Sequence, residues 1–147
     1  MTPAEGRADI YAYFKAYWDA NAGAAVGGTA PGVLWDGIEK GSAPDESGAH
    51  ARLTLLPAGE YQATLADETG ARRWTSFGSV IVECYAPRGK QGFARAEALA
   101  TVARDAFRGR KSPGGAWFKN ASVRRMGPDK GWFRFDAVTQ FEFDDVK

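Results

Sequence analysis

One cysteine, Cys84, and one histidine, His50, are all that the 147 residues offer of the two versatile ligand types. No internal disulfide can form, and no His-rich or Cys-rich metal module can be built. Charge of one sign is also missing: 19 Lys plus Arg face 18 Asp plus Glu, a formal net charge of +1. A near-neutral total argues against a generic polyanion binder, although the two signs can still be segregated along the chain. No apolar run approaches the roughly 18 residues of a membrane span, and the N-terminus lacks the basic-then-apolar pattern of a secretion signal. These absences predict one soluble domain over residues 1–147, made in the cytoplasm, with no internal repeat and no low-complexity tract.

The equipment of catalysis is equally thin. A Ser or Cys nucleophile needs a base to take its proton, and His50 lies between Ala49 and Ala51 beside an acidic stretch, with no orienting partner in view. Cys84 falls in the middle of a β-rich run, where a buried, inert thiol is expected. Asp144 and Asp145 are adjacent acids at the chain end and are expected simply to be solvated. Gly27-Gly28 and Gly114-Gly115 lack the strand, helix start and Lys-Ser or Lys-Thr of a phosphate loop. No enzyme activity, catalytic residue, metal ligand or cofactor is expected.

What is present is regular periodicity. Thr2-Pro3-Ala4-Glu5 has the form of a capping box with Pro at the first helical position, and Ile10, Tyr13, Phe14 and Tyr17 recur on one helical face, predicting a helix over 3–21. A Gly/Ala-rich loop over 21–32, a short strand at Val33-Leu34-Trp35 and an acidic, mobile stretch over 37–48 are expected next. Strands over 51–57 and 61–66 flank a turn at Pro57–Glu60, and a further turn at Asp67–Gly70 precedes a central strand over 74–86. A second helix is predicted over 91–108, with Gly109 as its left-handed cap. Two strands, 116–126 and 131–143, close the chain around a turn at 127–131. In the last, Phe133, Phe135, Ala137, Thr139, Phe141 and Phe143 share one face. The order α-β-β-β-β-α-β-β predicts an α+β fold: an antiparallel or mixed sheet with two main helices packed on one face.

Charge is segregated despite the neutral total. Residues 36–68 hold seven acids against Lys40 and Arg52, whereas 101–134 hold nine bases against Asp105 and Asp129. Such opposed blocks suit a nucleic-acid face, a self-complementary contact between identical subunits, or plain solvated surface. Aromatic and basic residues interleave at Arg72-Arg73-Trp74, Trp117-Phe118-Lys119 and Trp132-Phe133-Arg134. That composition fits stacking of single-stranded bases or a protein interface, and five Trp are more than the core of such a domain needs.

The order and spacing of several segments carry a resemblance. They are the capped N-terminal helix, Arg52–Pro57, Val82–Gly89, the Ala-rich helix ending Ala106–Gly109, Pro113-Gly114-Gly115, Ser122–Arg125, Gly131-Trp132-Phe133 and Phe141-Glu142-Phe143. Across the whole chain this resembles the lambda-type tail terminator (tail completion) proteins of long-tailed bacteriophages and prophages. The resemblance implies an α+β virion protein that assembles as a ring, hexameric in that family, on the finished tail tube. It implies that the ring stops tube polymerisation and presents a surface to the head-completion or stopper protein, with DNA only passing through the lumen and no membrane contact. A ring is a head-to-tail interface that closes, which opposed charge blocks serve. A final strand of about 13 residues, roughly 43 Å long, is expected to reach a neighbour and pair edge to edge. The interface residues expected are Trp35, Arg72, Arg73, Trp74, Arg124, Arg125 and Trp132, with the stretches 37–48 and 66–72 ordering on contact. The alternatives are another neck component, stopper or adaptor, and a small single-stranded nucleic-acid binding domain.

Overall fold

The computed structural model describes residues 1–37, 48–65, 70–89, 91–128 and 130–146. Helix α1 spans Pro3–Val26, followed by β1 (Val33–Trp35), β2 (His50–Gln62), β3 (Arg73–Pro87), α2 (Gly92–Phe107), β4 (Trp117–Arg125) and β5 (Trp132–Val146). The strands form one sheet in the order β1-β2-β3-β5-β4. It is mixed, because β1 runs parallel to β2 while the other neighbours are antiparallel. The fold is α+β, as expected.

The capping box at Thr2 is in place: Glu5 N–H donates to Thr2 Oγ1 at 3.2 Å, and Thr2 N–H donates to Glu5 Oε2 at 2.7 Å. α1 runs five residues past its expected end, because Ala22, Ala24 and Ala25 are strong helix formers and Ala22 is fully buried. Gly27 then stops it at φ 68°. Gly23 permits this stop, since a Cβ there would lie 2.4 Å from the Gly28 carbonyl oxygen. α2 is flanked by Gln91, which makes no side-chain cap bond, and by Arg108, with Gly109 left-handed at φ 64° as expected.

The expected turn at Pro57–Glu60 is instead a bulge. The pairing with β3 steps from Pro57↔Gly78 to Gly59↔Phe77, leaving Ala58 as the extra residue, so 51–57 and 61–62 are two halves of one long β2. The extra residue also exchanges the faces: Leu53 and Leu55 point to the helices before it, and Tyr61 points away after it. β5 is the second correction. It lies between β3 and β4, inside the sheet, so it is not an edge that reaches a neighbour. Its length is used internally, all 15 of its residues pairing with β3.

The core lies between the helices and one sheet face. Ile10, Phe14 and Trp18 of α1 and Ala96, Leu99, Ala100 and Ala103 of α2 meet Leu53, Val80, Val82, Ala137 and Phe141. Alanines on α2 let it approach the sheet closely, and Phe107 stacks on Phe14 at 5.4 Å between centroids. Each such large side chain contributes about 2 kcal/mol by leaving water. Trp18 keeps its indole N–H satisfied by donating to the Pro31 carbonyl at 2.7 Å. The Phe133–Phe143 face of β5 is the helix-facing one, with Phe135, Ala137, Thr139, Phe141 and Phe143 all buried.

Candidate interaction surface

The seven residues expected at an interface fall into three places. Arg124, Arg125 and Trp132 lie at one end of the sheet, where Trp132 faces Pro87 across β3 and β5, with Arg124 and Trp132 on the outer face and Arg125 on the helix-facing one. Arg72, Arg73 and Trp74 lie at the other end, where Arg73 faces Val146. With 15 residues in β3, the two ends are about 45 Å apart. Trp35 belongs to neither end. It packs beside α1, 5.2 Å from Tyr11 and 6.1 Å from Phe14 between ring centroids.

At the Trp132 end, register builds a charged row on the face away from the helices. Arg52 of β2 is opposite Glu83 of β3, Glu83 is opposite Asp136 of β5, and Asp136 is opposite Arg124 of β4. Arg134 ties the two acids together. Its Nε and Nη2 donate to the two Asp136 carboxylate oxygens at 2.9 and 3.0 Å, and Nη2 donates also to Glu83 Oε1 at 3.0 Å. The fork onto Asp136, aided by both negative charges, raises the guanidinium's pKa still further above neutrality. Asp136 is 5% exposed, so removing Arg134 would leave a nearly buried carboxylate facing a second one. The Tyr85 hydroxyl donates to Glu83 Oε2 at 3.0 Å, and burial together with that bond pushes its pKa up to about 12. His50 is stacked on Tyr85 at 4.9 Å and abuts Trp132 edge-on at 5.2 Å.

At the opposite end the same face sets exposed aromatic side chains beside charged ones. Trp117 is 58% exposed, with Leu56, Tyr61 and Phe77 also exposed. A cleft of about 210 Å³ there is lined by Tyr61, Arg73, Thr75, Trp117, Glu142 and Asp144. Asp144 accepts from Thr75 Oγ1 at 2.7 Å and lies 3.7 Å from Arg73 Nε. Asp145 stands 3.5 Å from the N-terminal ammonium. These two acids are therefore partnered rather than simply solvated, because β5 continues to Val146 and brings them against β3 and the chain start. Of the five Trp, Trp18 is fully buried, Trp35, Trp74 and Trp132 are half-buried, and Trp117 is the open one. Its signal was the run Trp117-Phe118-Lys119, in which strand alternation sends Phe118 to the core and Trp117 outward. The stretches 38–47 and 66–69, expected to order on contact, lie outside the described residues.

No arrangement for covalent chemistry emerges among the described residues. The His50 Nδ1 lies 3.0 Å from the Gly48 carbonyl oxygen, and its ring is flanked by aromatic rings. Cys84 is fully buried, which holds its thiol far above the ordinary range. No group of three or more His, Cys, Asp or Glu among them could hold a metal ion, and no described helix is long and apolar enough to cross a membrane.

No sequence-family profile matches the chain, and no curated protein matches it by sequence. Solved structures do. One is 20% identical over 94% of this chain and 93% of its own length, with a TM-score of 0.60, which shows the fold alone. Another is a chain of the virion of a native gene transfer agent particle, 25% identical over 99% of this chain and 100% of its own, with a TM-score of 0.57.

Proposed function

We propose that this chain is a structural protein of a virion and, within it, the terminator of a phage-type tail tube. The observation that carries the reading is the end-to-end similarity to a chain of a gene transfer agent virion, 25% identical over 99% of this chain and 100% of its own. In this reading copies of the chain, made in the host bacterial cytoplasm, assemble head to tail into a ring, six-fold by the family resemblance. The ring caps the tube, stops its polymerisation and receives the head-completion protein.

A closed ring needs two different complementary patches on each copy. The charged row at Arg52, Glu83, Asp136 and Arg124, beside Trp132, supplies one; the Trp117 end, with Arg72, Arg73 and neighbouring Trp74, supplies the other. Trp35 is retained as a contact only at its exposed rim. The experiment is mass photometry or sedimentation across a concentration series, with negative-stain images, followed by addition of tail tubes. Six-fold rings, or blunt capped tubes of fixed length, are the expected outcome. A monomer at every concentration that also leaves tube growth unchanged overturns the reading.

A further inference from the structure

Around the start of α2, on the helix side of the Trp132 end, two arginines come together that the ring reading does not use as a pair. Arg125 lies over the Phe93 ring at 5.0 Å from its centroid, and Arg88 lies over the Phe133 ring at 5.8 Å. Phe93 and Phe133 touch edge-on at 5.6 Å, so the two guanidiniums flank one aromatic pair. Arg88 and Arg125 are both exposed, and the first turn of α2 beside them contains no acid. Among the described residues neither enters an ion pair, in contrast to Arg73, Arg104 and Arg134. Glu97, one turn beyond Phe93, is the nearest acid in sequence on this helix.

We propose that this corner is a contact surface for the phosphate backbone of duplex DNA. A guanidinium held over a ring keeps its in-plane N–H edge available for a bidentate acceptor, and its stem loses less freedom on binding. The aromatic faces are occupied by the arginines, which favours backbone contact over stacking of single-stranded bases. Duplex DNA offers the densest regular array of phosphates for such a pair. The choice of nucleic acid over an acidic protein rests on the virion reading above; the binding itself does not need a ring.

The test is titration of the isolated full-length chain against a short labelled duplex of mixed sequence, between about 50 and 200 mM salt. Sequence-blind binding that weakens steeply with salt is expected. The variant R88Q/R125Q should lower the slope of log K against log salt by about 0.9 for each arginine. K15Q, on α1 where Lys15 is already paired with Asp19, should leave that slope unchanged. R88Q alone, at an exposed position outside helix and strand, gives the same reading at half of the effect if the double variant fails to fold. Absence of salt-dependent binding overturns the proposal, as does a wild-type slope in the folded variants. Tighter binding of single strands than duplex, or binding of labelled polyglutamate tighter than that of duplex, overturns it in favour of another partner. A chain that forms no rings and leaves tube growth unchanged, yet shows these slopes, supports this proposal while removing the terminator reading.

Discussion

At the scale of single residues, burial separates groups that look alike in sequence. Glu83 and Asp136 are ordinary surface acids by alternation, yet Arg134 reaches both and Asp136 is nearly inaccessible. Tyr85 depends on the same cluster. Its folded pKa of about 12 exceeds the ordinary tyrosine value of 10, so the unfolded chain loses the phenolic proton first as pH rises. Its contribution to stability is complete below about pH 10 and is lost on the way to about pH 12. The thermal midpoint should fall across that window, and Tyr85→Phe should make the fall shallower. Differential scanning fluorimetry against pH checks this; an unchanged slope in the variant would show that the phenol is not the group responsible.

At the scale of elements, loops and edges decide what the chain can offer a partner. The segment between α2 and β4 is held by one side chain of α1: Asp9 accepts from the Ser112 hydroxyl and from Gly114 N–H at 3.0 Å, while Ser112 Oγ accepts from Ala116 N–H at 2.8 Å. A Cβ at Gly114 would lie 2.5 Å from the Asp9 carboxyl carbon, so only glycine lets the carboxylate come this close. Asp9→Ala should cost about 2 kcal/mol, the scale of hydrogen bonds to a charged group, read as a shift in denaturant midpoint with unchanged m-value. Wild-type stability in that variant would mean that the loop is held by other contacts. Both sheet edges carry devices that discourage indiscriminate strand pairing. On one side β1 covers β2 only at Ala51, Arg52 and Leu53, and the part of β2 left open carries Pro57 and the bulge; on the other, the edge strand β4 has Lys119, Arg124, Arg125 and a register break between Lys119 and Ser122, with Asn120 at φ 56°. Contacts through side chains on the outer face suit such edges better than an extended intersubunit sheet.

At the scale of the whole molecule, the ring reading predicts that Arg124→Glu weakens self-association without unfolding the chain. Arg124 is exposed and faces Asp136 across the ladder, so reversal places a third acid beside Glu83 and Asp136 on the outer face. The concentration for half-assembly should rise about tenfold, equivalent to about 1.4 kcal/mol, by mass photometry at matched salt. Assembly equal to wild type would remove Arg124 from the interface.

Local chemistry made much of this fold legible without coordinates. The capping box, the Phe133–Phe143 alternation and the Ala stripe of α2 each depend on neighbours within a turn or a strand, and each has its expected conformation. Pairing order, the bulge after Pro57 and the internal position of β5 depend on residues far apart in the chain, which no local period encodes. The candidate surfaces divide the same way. Sequence marked Arg124, Arg125 and Trp132 by composition, but only the register of four strands sets Arg52, Glu83, Asp136 and Arg124 in one row, and only the packing of α2 brings Phe93 under Arg125. The sequence by itself determined the two helices, the last two strands and the scarcity of His and Cys, because propensity and inventory are properties of short stretches. Which charges meet, and which are left for a partner, was decided by tertiary structure, because Coulombic and stacking contacts act over a few ångströms in space and are indifferent to distance along the chain.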